Sequence, residues 1–127
     1  MSIEYFQTLF EYNAWARERL LKRCRELDAT VYSNRCAAVL THALGVEVNT
    51  LARAQGISPS SILTVQDLPT VEDLTARGRR QDEEMAAYLQ TINSESLDAD
   101  VTYRTMAGKE QRHARSLLLA HAINHNT

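Results

Sequence analysis

Residues that break helices are scarce in this chain, and this scarcity restricts its fold more than any other feature. Proline occurs only at positions 59 and 69, and glycine only at positions 45, 56, 78 and 108. Three long stretches are therefore left with few strong breakers, and apolar residues recur in them at steps of three and four. This pattern predicts that helices fill most of the chain.

The first two helices are predicted from the apolar spacing and from residues typical of helix ends. Ser2 is expected to cap a first helix over about 2–27, whose inward face is given by Ile3, Phe6, Leu9, Phe10, Ala16, Leu20, Cys24 and Leu27. A second helix is expected to start after Ser33 or Asn34, either of which can cap it. Gly56 would end this helix in a left-handed conformation.

Two further helices are predicted in the second half of the chain. Residues 57–69 are expected to form a long crossover connection, after which Thr70 and Asp73 form a capping box for a third helix reaching Ile92. Residues 101–108 favour an extended loop or a small hairpin with a turn at Ala107 and Gly108. The fourth helix is expected to start near Gln111 and to continue through Thr127, with an inward face made by Ala114, Leu117, Leu118, His121 and His125.

Together these elements favour an all-α fold, namely a four-helix bundle of up-down or crossover topology. A length of 127 residues, with 44% hydrophobic and 24% charged residues, is typical of one globular domain covering residues 1–127. The last helix ends without a glycine or a basic last turn, and we therefore expect it to be truncated.

Charge and cysteine content exclude several classes of function. The net charge is −2 and the isoelectric point is about 6.1, which disfavours binding to nucleic acid or to anionic membranes. The basic residues Arg77, Arg79 and Arg80 are flanked by acidic ones, so a solvated helix face is the simpler interpretation. Cys24 and Cys36 are expected to be packed thiols. With no leader sequence and no apolar stretch long enough for a membrane span, we expect a soluble cytoplasmic protein.

Two polar residues, Asn13 and Glu47, lie close to apolar stripes, and we interpret both as structural. Asn13 lies beside the stripe of the first helix, where its amide must find a hydrogen-bond partner, and we interpret it as a residue that holds helix register. Glu47 lies off the face of His42, and we expect its carboxylate to be solvated or to pair two helices.

The histidines are the best clue to chemistry. His121 and His125 are four residues apart and so share one helix face, and His42 lies in a neighbouring predicted helix. Three imidazoles from two helices suit a divalent transition metal with an open position for water. The alternative is that His121 and His125 are four residues apart by chance and that His42 is a structural residue. The glutamate of a His-Glu-x-x-His motif is absent between His121 and His125. We interpret His113 as a surface residue at the start of the fourth helix.

Three segments carry a resemblance to a known family. They are Tyr12-Asn-Ala-Trp-Ala16, Leu40-Thr-His-Ala-Leu-Gly-Val-Glu47 together with Gly56, and Leu117-Leu-Leu-Ala-His-Ala-Ile-Asn-His125. In this order they make the chain resemble the DinB/YfiT-like family of small four-helix metalloproteins. The resemblance implies a metal held by one histidine of the second helix and two of the last, which would be His42, His125 and a residue four positions past His125.

That last position lies beyond Thr127. Three explanations stay open: a truncated chain, a short natural member without its metal, or a member in which His121 is the substitute ligand. If the site is complete, the resemblance implies that the ion is Zn, Ni, Fe or Mn.

The resemblance also implies two classes of activity. Relatives include transferases and isomerases that use low-molecular-weight thiols, and others are known only as damage-inducible proteins. The leading hypothesis is therefore a metal-dependent thiol transferase or hydrolase acting on a small molecule. The alternative is a metal-free helical bundle that acts as a dimerising interaction or structural module. A homodimer is expected under both, since a short fourth helix leaves apolar surface exposed.

Overall fold

A computed structural model describes residues 2–126 as a mainly helical protein with one small sheet. The elements in chain order are α1 (Ile3–Arg25), α2 (Ala29–Arg35), α3 (Ala37–Ala54), α4 (Val71–Thr91), α5 (Ser94–Asp98), β1 (Asp100–Arg104), β2 (Glu110–Ala114) and α6 (Arg115–His125). The predicted continuation of the last helix through Thr127 lies outside the described residues.

Helix α1 begins where the sequence predicts. The Ser2 hydroxyl accepts a hydrogen bond from the Tyr5 N–H at 3.1 Å, which satisfies one of the free donors of the first turn. The predicted inward face is correct for Phe6, Phe10 and Cys24 and wrong for Leu20 and Leu27, which are exposed. Leu21 is buried instead of Leu20.

The second predicted helix is α3, and a short helix that was not predicted, α2, precedes it and meets it at Cys36. Ser33 and Asn34 lie inside α2, so the prediction that either caps the longer helix is wrong. The side chain of Asp28 caps α2 by accepting from the Thr30 N–H, and α3 then starts at Ala37 without a side-chain cap.

The end of α3 follows the prediction. Gly56 has a φ of +80°, and the N–H of Ile57 donates to the carbonyl of Ala52 at 2.9 Å. This six-to-one hydrogen bond is typical of a glycine-terminated helix. The predicted capping box of α4 is also confirmed: the Thr70 hydroxyl accepts from the Asp73 N–H, and the Asp73 carboxylate accepts from the Thr70 N–H.

A β-hairpin precedes the last helix. Strand β1 pairs with β2 in antiparallel register, with Val101 opposite His113, and Gly108 in the turn has a φ of +83°. The predicted start of the fourth helix near Gln111 is therefore wrong, because residues 110–114 form a strand and α6 starts at Arg115. Arg115 anchors this junction by donating from Nε to the Ala54 carbonyl at 2.8 Å.

The helices pack as a bundle around shared apolar residues, which confirms the mainly helical fold. Helix α1 packs against α4, and α3 packs against both α4 and α6. The main buried cluster consists of Phe6, Phe10, Leu51, Ala54, Met85, Tyr88, Leu89, Leu97, Leu119 and Ala122. Between residues 2 and 126, no helix combines the length and the apolar character that crossing a membrane requires.

Candidate functional site

The three histidines of the candidate site lie together on the surface where α3 and α6 pack. The ring centroids of His42 and His125 are 5.1 Å apart, and those of His121 and His125 are 6.1 Å apart. All three side chains are exposed. The prediction that His121 and His125 face the core is therefore wrong, and Leu118, Leu119 and Ala122 occupy the buried face of α6 instead.

The distance between His42 and His125 suits two ligands of one ion. An imidazole centroid lies about 3 Å from a metal bound at the ring nitrogen, so two rings on a tetrahedral ion have centroids about 5 Å apart. A separation of 6.1 Å, as between His121 and His125, is close to the value for a linear arrangement. Among residues 2–126, no group of three or more His, Cys, Asp or Glu side chains is close enough to hold an ion.

His113 lies away from this pair. It is on β2, where its ring is 6.1 Å from that of Tyr103 on the neighbouring strand. The prediction that it lies at the start of a helix is wrong because it is on a strand, and its side chain is half-buried.

A buried network of polar side chains joins α1, α3 and α4. Arg17 of α1 donates to the carboxylate of Glu47 on α3 and to that of Asp82 on α4. The Glu47 side chain is 3% exposed and that of Arg17 is 12% exposed. The ions are therefore almost removed from water, and each depends on its partners for stabilisation.

Asn13 extends this network to the end of α6. Its Nδ2 donates to Oε1 of Glu47 at 2.9 Å, and its Oδ1 accepts from Nδ2 of Asn126 at 3.2 Å. The prediction that Asn13 must find a partner is confirmed, and Glu47 pairs helices rather than facing solvent. Because Asn126 follows His125, the network also fixes the last turn of the helix that carries His125.

Burial and neighbouring charges shift the pKa of two groups in the network, Arg17 and Asp82. Burial lowers the pKa of Arg17, but the carboxylates of Glu47 and Asp82 raise it by more, so the guanidinium stays charged. Burial raises the pKa of Asp82, and the attraction of Arg17 offsets this effect only in part.

A cavity of about 120 Å³ opens beside the network. Its polar lining comes from Asn13, Arg17, Glu47 and Asn126, and the rest is apolar, from α1, α3 and α4. Ala43, which follows His42 in the chain, also contributes to the lining. A cavity of this volume can hold a few waters or a group about the size of benzene.

Sequence reasoning missed Arg17, Asp82 and Asn126 as members of this site. One signal was available, since Asn13 and Arg17 are four residues apart and share a face of α1. Their partners on other helices had no signal in the sequence.

Comparison with known proteins gives no family for this chain. No protein-family model matches the sequence, and no curated protein matches it.

Proposed function

We propose that His42 and His125 bind a divalent transition metal, Zn, Ni, Fe or Mn, at the junction of α3 and α6. The observation that carries the proposal is the 5.1 Å between their ring centroids, which agrees with two imidazoles on one tetrahedral ion. His121, at 6.1 Å from His125, is the third ligand of the described chain and needs a rotation of its side chain to reach the same ion. We further propose a four-helix arrangement of the DinB/YfiT-like kind for α1, α3, α4 and α6.

The exposure of the three rings supports a reactive rather than a purely structural ion. Two or three protein ligands leave coordination positions open to water or to a substrate, as catalytic sites require. When bound, such an ion lowers the pKa of a coordinated thiol or water and so supplies a nucleophile at neutral pH. The proposed activity is therefore a transfer to or from a low-molecular-weight thiol, or a hydrolysis.

The chain's own contribution is to place the two imidazoles. Neutral ring nitrogens donate the ligand electron pairs, and the hydrogen bonds among Asn126, Asn13 and Glu47 keep the end of α6 against α1 and α3. The cavity beside this network is the proposed binding site for the non-reacting part of the substrate. We place the protein in the cytoplasm, a reducing compartment in which free thiols such as its two cysteines are usual.

The metal proposal is tested by reconstitution. Purified protein is dialysed against each of the four metals in turn, and the bound metal is measured by mass spectrometry. About one equivalent is expected for the unchanged protein and for His113→Ala, and a loss of at least tenfold in affinity is expected for His42→Ala and His125→Ala. Equal metal content in all four proteins would refute the proposal.

A second candidate function is a metal-free module that forms homodimers. The exposed side chains of Tyr12 and Trp15 favour it, because their aromatic rings contact each other and are 64% and 53% exposed. Leu20, also exposed, lies further along the same helix. Sedimentation of Trp15→Ser tests this function: a monomer in place of a dimer supports it, and an unchanged mass contradicts it.

A further inference from the structure

The two cysteines of the chain lie in one small apolar cluster, away from the histidines. Cys24 is in the last turn of α1 and is buried, together with Tyr32 and Ala37. Cys36 stands between α2 and α3, is half-buried and packs against that same cluster. Both are free thiols. Native packing therefore brings together two cysteines that a flexible chain would hold together only occasionally.

We propose that Cys24 and Cys36 are a reversible thiol-oxidation site, at which a peroxide or a low-molecular-weight disulfide converts the pair into an intramolecular disulfide. The Cys36 side chain packs against the cluster that contains Cys24, and the two thiols are near enough for Cys36 to raise the pKa of Cys24. The bond would join the end of α1 to the start of α3, across the corner formed by α2. This inference does not depend on the proposed metal site.

The different surroundings of the two thiols set the order of reaction. Cys36 is reachable from solvent, whereas burial raises the pKa of the Cys24 thiol and the neighbouring Cys36 raises it further. Since the thiolate is the nucleophile, Cys36 reacts first and Cys24 resolves the product.

With a peroxide, the oxidation takes two steps. The Cys36 thiolate attacks one oxygen of the O–O bond, which gives a sulfenic acid at Cys36 and releases the other oxygen as hydroxide or alkoxide. The Cys24 sulfur then attacks the Cys36 sulfur and displaces the sulfenic oxygen, which leaves with the Cys24 proton as water. Two thiols lose two electrons, and the peroxide gains them. With a low-molecular-weight disulfide, the Cys36 thiolate attacks one sulfur of its S–S bond, which gives the mixed disulfide and releases one small thiolate. The Cys24 thiolate then attacks the Cys36 sulfur and displaces the second small thiolate.

Native packing also predicts a thermodynamic effect. If the fold holds the two sulfurs close together, the disulfide is favoured more in the folded protein than in the unfolded chain. Linkage then requires the disulfide to stabilise the fold by the same factor. If the fold held the two sulfurs in the wrong orientation, the disulfide would be strained and easier to reduce, and it would destabilise the fold.

The test measures this equilibrium in the full chain, in native buffer and in concentrated urea. The protein is equilibrated with mixtures of reduced and oxidised glutathione, free thiols are alkylated, and the intact mass is recorded. The disulfide form has no alkylated cysteine and is about 2 Da lighter than the unalkylated reduced protein. We expect the equilibrium constant for its formation to be at least about tenfold larger in native buffer than in urea. A smaller ratio would overturn the proposal.

Two variants then test the order of reaction. In Cys24→Ser, Cys36 is expected to react with peroxide or glutathione at the rate of the unchanged protein and to stop at the sulfenic acid or mixed disulfide. In Cys36→Ser, the remaining Cys24 thiol is expected to react at least about tenfold more slowly while the protein is folded, because it is buried and less ionised. Equal rates in the two folded variants would show that the assigned order is wrong.

Discussion

Arg17 donates to Glu47 in the interior of the bundle, and this ion pair joins α1 to α3. Asp82 binds the same guanidinium from α4, and Asn13 shares the Glu47 carboxylate. Three helices therefore meet at one cation, and the packing of α3 against its neighbours depends on electrostatics as well as on apolar contacts.

Removal of the central cation should destabilise the protein strongly. Arg17→Met leaves the Glu47 and Asp82 carboxylates in the interior without a cation, and breaking a buried ion pair in this way costs about 3–5 kcal/mol. Urea denaturation gives the loss in the free energy of unfolding. Arg79→Met is the matched control, since Arg79 pairs with Glu18 at the surface and should change stability far less.

A second substitution separates the effect of the unpaired charge on stability from the effect of the changed packing. Glu47→Gln in the Arg17→Met background removes one of the two unpaired carboxylates, and we expect it to recover part of the lost stability. If the double variant is less stable than Arg17→Met alone, the unpaired charge is not the source of the destabilisation.

Stability should decline at alkaline pH because of the cluster around the cysteines. Burial raises the pKa of Cys24 and that of Tyr32. Folding therefore favours the neutral forms of both groups. Their contribution to stability is complete below the unfolded-state pKa values, about 8.5 for Cys and 10 for Tyr, and is lost as the pH rises through the higher values of the folded state.

The measurement is the urea midpoint from pH 7 to pH 11, with a reducing agent present. Tyr32→Phe should weaken the alkaline decline. At pH 7 its stability should stay within about 1 kcal/mol of the unchanged protein, because the Tyr32 hydroxyl has no hydrogen-bond partner among residues 2–126. The same alkaline decline in both proteins would exclude Tyr32 as its source.

The crossover connection should restrict residue size on α3. A Cβ atom at Gly45 would lie 2.6 Å from Cγ1 of Ile62, so Gly45→Ala requires Ile62 to move. Overpacking of this kind costs about 1–3 kcal/mol, which outweighs the gain of up to about 1 kcal/mol from replacing a helix glycine by alanine. Thermal unfolding measures the net loss.

The matched control removes the clash by shortening the Ile62 side chain instead. In an Ile62→Ala background the space is free, so Gly45→Ala should be neutral or stabilising there. A loss of equal size in both backgrounds would mean that Ile62 is not the obstacle.

The capped helix ends could be predicted from the sequence, because each depends on neighbouring residues. Ser2, the box of Thr70 and Asp73, and the positive φ of Gly56 all act within one turn. The break at Cys36 and the strand at residues 110–114 could not be predicted in this way. The strand depends on pairing with β1, which overrides the helical tendency of the residues leading into α6.

The proximity of the three histidines was predictable from the sequence, and the direction in which they face was not. The spacing of His121 and His125 places them on one face of α6, but which face is buried is decided by Leu119 and Ala122 packing into the main cluster. The ion pair of Arg17 with Glu47 could not be predicted from the sequence, since no local pattern links two charged residues on different helices. Only Asn13, a polar residue beside an apolar stripe, indicated that a buried partner was needed.

The metal proposal is tested most directly by following the imidazole signals of the four histidines by NMR while zinc is added to the reduced protein. We expect the His42 and His125 signals to change together and to reach their end points at about one equivalent, while the His113 signals keep their positions because its ring lies against Tyr103. If the His42 and His125 signals stay unchanged at excess zinc, or if only one of the two responds, the two rings do not share an ion and the proposed metal centre is wrong.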